Sequence, residues 1–304
     1  MPDLELPLDR PIDLVATLRP LVRGQGDRSI RLRPGAAWWT VRVAGGPATV
    51  VIRTTGDRLR ADTFGPGAVE ALERVPGLVG ALPGAASPAD LPAGVHRLVD
   101  SLARTRPGLR ISRSRAVLDA LVPAILEQKV TGEEARRAWQ GLVRALGEDA
   151  PGEAGAGLRL APPPGRLAEL PYHAYRPFGI ERRRAELIRA VATRADALEA
   201  LAERSPAEAS AALQAIPGIG PWTAAEVAVR AFGDADAVSV GDFHLPNLVA
   251  WALAGEPRAD DARMLELLEP YRGRRAIVLR LLESAGRHAP RHGPRLAPRA
   301  IGGI

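Results

Sequence analysis

Residues Ser205 to Leu253 read SPAEASAALQAIPGIGPWTAAEVAVRAFGDADAVSVGDFHLPNLVAWAL. Ser205, Pro206 and Glu208 stand as N-cap, first helical residue and capping-box partner, and the apolar run after them ends in Ile216-Pro217-Gly218-Ile219-Gly220. That is a helix ending in a tight turn. Pro221 can open a second helix, because its missing N–H costs nothing at the first position, and Phe232-Gly233 supplies the stop. Gly218 and Gly220 carry no Cβ, so a large anion can approach their N–H groups closely at a positive helix end. A phosphodiester is such an anion. Further on, Asp242 stands just ahead of an apolar helix from Phe243 to Leu253. An aspartate there serves as an N-cap, and a helix N-terminus also keeps a carboxylate ionised.

Working outward, a chain of 304 residues with 46% hydrophobic side chains suits two or three small domains with real cores. There is no cysteine, so disulfides contribute nothing, and no His/Asp/Glu cluster stands at metal-ligand spacing. Neither an early apolar leader nor an 18-residue apolar run is present, which predicts a soluble, cytoplasmic protein without membrane contact. A net charge of +6 and a pI near 10.7 fit a partner with a phosphate backbone. The basicity is almost wholly arginine. With the heavy Ala, Gly and Pro usage it has a GC-rich coding sequence as an alternative source, so charge is supporting only.

Before the quoted stretch the hydrophobic period changes. Leu4 to Leu8 reads as a strand and Ile12 to Val22 as an amphipathic helix. Trp38-Trp39-Thr40-Val41-Arg42-Val43 alternates, placing Trp39, Val41 and Val43 on one face. Turns at Ala44-Gly45-Gly46-Pro47 and Gly56-Asp57 lead to strands around Thr49 to Arg53 and Leu59 to Phe64. Residues 1–82 are thus expected to form a small antiparallel sheet domain with helices. Residues 83–92, rich in Pro, Gly, Ala and Ser, read as a linker. Residues 93–288 read as a helical domain: Leu91 to Arg104, Ser112 to Gln128, Thr131 to Leu146, Glu181 to Arg194, the hairpin pair at 206–232, Phe243 to Leu253, Asp260 to Leu268 and Arg274 to Arg287. The Gly/Ala/Pro-rich stretch Gly147 to Gly165 is expected to be a mobile loop, and residues 289–304 a disordered basic tail. The fold class is therefore α+β.

Pro217-Gly218-Ile219-Gly220 followed by Trp222-Thr223-Ala224 resembles the hairpin signature of the helix-hairpin-helix DNA glycosylases. The sheet-then-helices layout resembles the 3-methyladenine DNA glycosylase II family. The resemblance covers residues 1 to about 288 and is firm between about 112 and 253. In that family a short extended segment after the second helix leads to a catalytic aspartate. Val238-Ser239-Val240-Gly241-Asp242 occupies that place, so the resemblance implies Asp242 as the carboxylate that stabilises the cationic sugar, or also orients water, while a flipped base leaves.

The same resemblance implies DNA contacts through Gly218, Ile219, Gly220, Thr223 and His244, and a monovalent cation on the backbone carbonyls of Ile216 and Gly218. His244 could equally sit in the first turn of its helix. No other cofactor is implied, and without cysteine the iron–sulfur cluster of some relatives is excluded. Thr131 with Glu134 caps a helix, which puts Gln128, Lys129 and Val130 in a sharp interhelical turn. In similar glycosylases the glutamine meets the pocket or the DNA and the next residue wedges into the duplex. Here that next residue is Lys129, with Val130 as the better space-filler, and a plain solvated turn is the alternative.

Trp222 is implied as a pocket wall stacking on electron-poor bases, against a helix-packing role. Tyr175, clustered with Tyr172, His173 and Phe178, could be another wall or core packing at a turn. Lys129 is the only lysine. Strand-cutting relatives place theirs two residues after the second hairpin glycine, where this chain has Trp222, which implies base release without lyase chemistry. Two departures bear on substrate: Glu226 stands where alkylpurine enzymes carry an aromatic, and Arg274 to Leu282 has none. The expectation is a monomeric, monofunctional glycosylase of base excision repair acting on alkylated purines such as 3-methyladenine in damaged double-stranded DNA. The alternatives are a glycosylase for another lesion such as deaminated purines, and a noncatalytic hairpin DNA-binding protein.

Overall fold

The computed structural model of the chain describes residues 2–286, so the expected basic tail lies outside the described residues. Five strands come first: β1 (Asp3–Pro7), β2 (Ile30–Arg33), β3 (Ala36–Val43), β4 (Gly46–Thr55) and β5 (Arg58–Phe64). They form one antiparallel sheet in the order β1-β5-β4-β3-β2, with Trp39 opposite Val50 and Leu4 opposite Ala61. β2 goes beyond the expected strands, since four residues are too few to show a period.

Alternation along β3 does what it predicts. Trp39, Val41 and Val43 bury one face, with Val50, Ile52, Leu59 and Ala61, against the helices α1 (Leu14–Leu18), α2 (Ala68–Glu73) and α3 (Val75–Leu78). Each fully buried Val, Leu or Ile contributes roughly 1.5–3 kcal/mol. The helix expected over Ile12 to Val22 is shorter than its pattern. Asp13 caps it, and from Arg19 it tightens into a 3-10 turn, where Pro20 has no N–H to continue the α ladder.

The other face of the sheet is covered by the stretch expected to be a mobile loop. Residues 148–160 lie across β3 and β4: the Thr40 hydroxyl donates to the Arg159 carbonyl at 3.0 Å and the Thr49 hydroxyl to the Pro151 carbonyl at 2.8 Å. The Arg159 guanidinium in turn donates to the Gly147 and Val143 carbonyls. Glycine here serves close approach: a Cβ on Gly155 would meet Thr49 Oγ1 at 3.0 Å and the Ala150 Cβ at 2.8 Å. The linker expectation is corrected likewise. Ala86, Ser87 and Pro88 are buried and a Ser87–Asp90 capping box fixes a 3-10 turn, so residues 83–92 are a packed connection.

The helices follow: α4 (Arg97–Thr105), α5 (Val117–Leu126), α6 (Gly132–Leu146), α7 (Pro164–Glu169), α8 (Arg182–Ala192), α9 (Ala195–Glu199), α10 (Pro206–Gln214), α11 (Pro221–Val227), α12 (Leu245–Ala254), α13 (Asp261–Leu268) and α14 (Arg275–Ser284). Every residue of α5 except Asp119 is buried, which makes it the central post of one helical core. α4, α12, α13 and α14 share a second. Both end at the same place: the C-terminus of α5 and the N-terminus of α12 flank the hairpin.

Candidate active site

The hairpin forms as its residues dictate. Ser205 and Glu208 close a capping box at the start of α10, and α11 begins at Pro221. Between them Gly218 takes φ +95°, a conformation that L side chains rarely adopt. The Ile219 N–H closes the turn on the Ile216 carbonyl at 3.0 Å, while the N–H groups of Gly218 and Gly220 find no acceptor among the described residues. Those two donors remain for an anion. α11 runs into a single π turn, Ala228–Phe232, before Gly233 ends it at φ +71°.

Asp242 is brought to this hairpin. Gly241, at φ +91°, turns the chain and donates its N–H to Asp261 Oδ2 at 2.9 Å. The Asp242 carboxylate then accepts from three N–H groups. Oδ1 takes the backbone N–H groups of His244 (2.7 Å) and Leu245 (2.8 Å), capping α12, and Oδ2 takes the Trp222 indole N–H at 3.1 Å. A carboxylate offers about four lone-pair sites, so one remains open. Asp242 is half-buried, with its negative charge fixed between the hairpin helix and the start of α12.

No protein-family model matches the chain. Its structure is similar to a 3-methyladenine DNA glycosylase from Archaeoglobus fulgidus, with TM-score 0.75 and 19% identity over 93% of this chain and 98% of that one. It is also similar to an 8-oxoguanine glycosylase/lyase from Clostridium acetobutylicum, with TM-score 0.67 and 12% identity over 93% and 96%. By sequence it is 34% identical over 140 residues to a Mycobacterium tuberculosis protein described as a probable bifunctional transcriptional activator/DNA repair enzyme AlkA. That match takes in 46% of this chain and spans only 28% of the Mycobacterium protein.

The chain has the helix-hairpin-helix DNA glycosylase fold.

In this glycosylase fold the α5–α6 turn is tied to the hairpin by one side chain. Gln128 Nε2 donates to the Gly218 carbonyl at 3.1 Å and to Thr223 Oγ1 at 3.0 Å. The amide of Gln128, expected in the pocket, thus braces the hairpin. Thr223 is buried and occupied by that bond, so its side chain is not a DNA contact. Ile219 is corrected in the same way: its side chain is buried in the core and its N–H closes the turn, which makes it the anchor of the hairpin rather than a contact. Val130 turns inward and packs on the core, leaving Lys129 exposed at the tip with φ +56°. Such a conformation in a non-glycine residue carries strain.

The pocket reading of Tyr175 does not hold. Its ring is fully buried in the α5 core and its hydroxyl donates to the Leu167 carbonyl at 2.7 Å, and burial pushes its pKa up to about 12. The three arginines that open α8 have three different surroundings. Arg184 is buried and donates to the Leu126 carbonyl at the end of α5, Arg182 pairs with Glu186, and Arg183 is exposed. The two carbonyls expected to hold a cation each accept a hydrogen bond already, from Ile219 and from Gln128. Each oxygen keeps one further lone pair, so the pair fits an ion only as part of a larger ligand set.

One feature has no signal in the sequence, and a second gives geometry to the Glu226 departure already noted there. Phe243, next to Asp242, is 79% exposed, set edge-on to His244 at 4.9 Å. An apolar ring assigned to a helix start is in fact displayed beside the carboxylate. The other lies one turn along α11 from Trp222. The Glu226 carboxylate takes the Ser239 hydroxyl at 2.5 Å and the Arg230 guanidinium at 2.7 Å, beside an Arg23–Glu127 pair at 3.3 Å. This side of α11 is thus lined by charged pairs.

Proposed function

We propose that this chain is a DNA glycosylase of base excision repair that hydrolyses the N-glycosidic bond of alkylated purines such as 3-methyladenine in duplex DNA. The observation that carries the reading is the Asp242 carboxylate, held by Trp222 and the α12 N-terminus, beside a hairpin with two free backbone donors. The N–H groups of Gly218 and Gly220 take a phosphate, which fixes the backbone without reading sequence. A monovalent cation at the hairpin carbonyls would add charge to that contact. The lesion nucleotide swings out of the stack toward Trp222, and Phe243 offers a second exposed aromatic face for stacking.

As the C1′–N bond breaks, its electron pair leaves with the base and positive charge grows on the sugar. The carboxylate is already oriented by three donors, so it meets that charge without reorganising. Water then adds to C1′ and gives up a proton, leaving an abasic site. Trp222 fills the place where strand-cutting relatives carry their amine, and the reading is therefore base release without strand cleavage. Borohydride treatment during turnover should give no covalent protein–DNA band; a trapped adduct would show a lyase step.

Incubating methylated duplex DNA with the protein should free methylated purines, and Asp242→Asn should slow that release by roughly 10²–10³-fold, the usual cost of losing one preorganised electrostatic group. Asparagine caps a helix as well as aspartate does. Release unaffected by the substitution would end the catalytic assignment and leave a hairpin clamp for DNA. The charged wall at Glu226 favours one second reading, a glycosylase for deaminated purines. A duplex carrying a single inosine separates the two.

A further inference from the structure

Between Phe232 and Leu245 the described chain forms no helix or strand, yet this segment carries the Asp242 carboxylate. Near that carboxylate its backbone bonds are local: the Val240 N–H to the Val238 carbonyl at 2.8 Å and the Asp242 N–H to the Ser239 carbonyl at 3.2 Å. Packing does not back it either. Behind it lies an open groove of about 300 Å³, lined by Val238 and Val240 of the segment, Pro221 and Ala225 of α11, and Leu265 of α13. Side chains beside a void lose the contacts that fix position in a close-packed core. The segment is therefore held by individual polar bonds.

Three helices supply them. α14 takes the start of the segment: the Arg275 guanidinium donates to both oxygens of Asp236 at 2.8 and 2.6 Å, and the Ala276 N–H to the Ala235 carbonyl at 2.9 Å. α11 takes the middle and the end, through Glu226 to Ser239 and Trp222 to Asp242. From α13 comes Asp261, whose Oδ2 accepts the Gly241 N–H at 2.9 Å, one residue before the carboxylate. Gly241 sits at φ +91° with open space around its Cβ position, so no side chain or neighbour restrains it. It is a pivot. The α12 cap fixes the chain on its leaving side, and Asp261 fixes the peptide plane on its entering side.

Asp261 does not cap its own helix. That task falls to Asp260, which takes the Arg263 N–H at 2.9 Å. The second oxygen of Asp261, Oδ1, is buried without a hydrogen-bond partner, an arrangement that costs stability and calls for a reason. The bond to Gly241 supplies one.

Resting on the catalytic reading of Asp242 above, we propose that Asp261 is a positioning residue: acting through Gly241, it holds the Asp242 carboxylate in the orientation that meets positive charge on the sugar. Without that bond Asp242 keeps its two α12 donors, but the loop presenting it turns about Gly241. The carboxylate then has to reorganise as the glycosidic bond breaks, which is the cost that preorganised charge avoids.

The test uses the full chain on duplex DNA treated with dimethyl sulfate, reading single-turnover release of methylated purines beside duplex Kd and the melting curve. Asp261→Ala should slow release by roughly 10–10²-fold, the upper figure being the cost of about 1 Å of misplacement, with Kd little changed. Asp261→Asn keeps an acceptor for the Gly241 N–H and should restore most of the lost rate. In an Asp242→Asn background Asp261→Ala should cost no further rate, because a group already removed needs no positioning. A merely structural role would lower the melting temperature and slow both backgrounds alike. Equal slowing in the two backgrounds, unchanged release by Asp261→Ala, or no restoration by asparagine overturns the proposal. Should the alanine variant not fold, Asp261→Ser, which keeps a polar first turn in α13 but falls one atom short of Gly241, replaces it in the same cycle. Release that Asp242→Asn leaves untouched refutes the catalytic reading first, and the proposal with it.

Discussion

Trp222 has one hydrogen-bond donor, and it points at Asp242. Replacing Trp222 by Phe keeps a stacking ring and removes the donor. Base release under single-turnover conditions should then slow by roughly 10-fold, the lower end for a bond to a charged group, with DNA affinity little changed. Unchanged release would show that the indole only packs. Asp119 offers a second test at this scale. It lines a cavity of about 30 Å³ with Trp139 and Arg23, room for a water or two. Burial, reinforced by the Glu199 charge, pushes its carboxyl up to about 7. An aspartate in an unfolded chain titrates near 4, so the native state holds this proton longer. The stability tied to it is full below pH ~4, declines as pH rises and is lost above about 7. Asp119→Asn should therefore match the parent near pH 4 and melt a few °C higher above pH 7, at about 2–4 °C per kcal/mol for a domain of this size. Equal melting temperatures at both pH values would refute the coupling.

Among the elements, the hairpin carries the sharpest expectation. A Cβ on Gly218 would meet Leu187 Cδ2 at 3.1 Å, and its φ of +95° suits glycine alone. Gly218→Ala should cost about 1–3 kcal/mol through local strain and weaken DNA binding. Gly220 is extended with open space at its Cβ position, so Gly220→Ala should melt with the parent and lose affinity only by crowding the phosphate. Fluorescence anisotropy with a short duplex, beside thermal melts, separates the two effects. These elements were legible because capping residues, proline and glycine act locally. Their boundaries were less so. A helix read from Ser112 begins at Val117, because Ser114 and Arg115 give their N–H groups to the Arg230 and Ala231 carbonyls of the distant π turn. The inward turn of Tyr175, Ile219 and Thr223 has the same source: their surroundings come from other elements, and no spacing within their own stretch reveals it.

Across the whole molecule, sheet and helices are joined by more than the chain connecting them. Residues 148–160 leave the helical part and lie back over β3 and β4, and Arg230 reaches the Pro20 carbonyl at 3.0 Å. Composition marked the former stretch as loose, because Gly, Ala and Pro say nothing of what they are pressed against. Limited proteolysis with elastase should spare residues 148–160 in the native protein, and early cleavage there would contradict the packing. No described helix is long and apolar enough to cross a membrane. DNA affinity should fall steeply with salt, by roughly 0.9 log units per log unit of salt for each phosphate neutralised.

The exposed tip between α5 and α6 has a practical consequence. Lys129 holds the sole side-chain amine in the chain. A succinimidyl dye applied to the native protein has that nitrogen and the α-amino group as its targets, and a truncated chain beginning later would shift only the second in a peptide map. The molecule thus comes with a built-in labelling point at the turn braced to the glycine hairpin, where a change of emission on adding a duplex would test the proposed contact without any engineered cysteine.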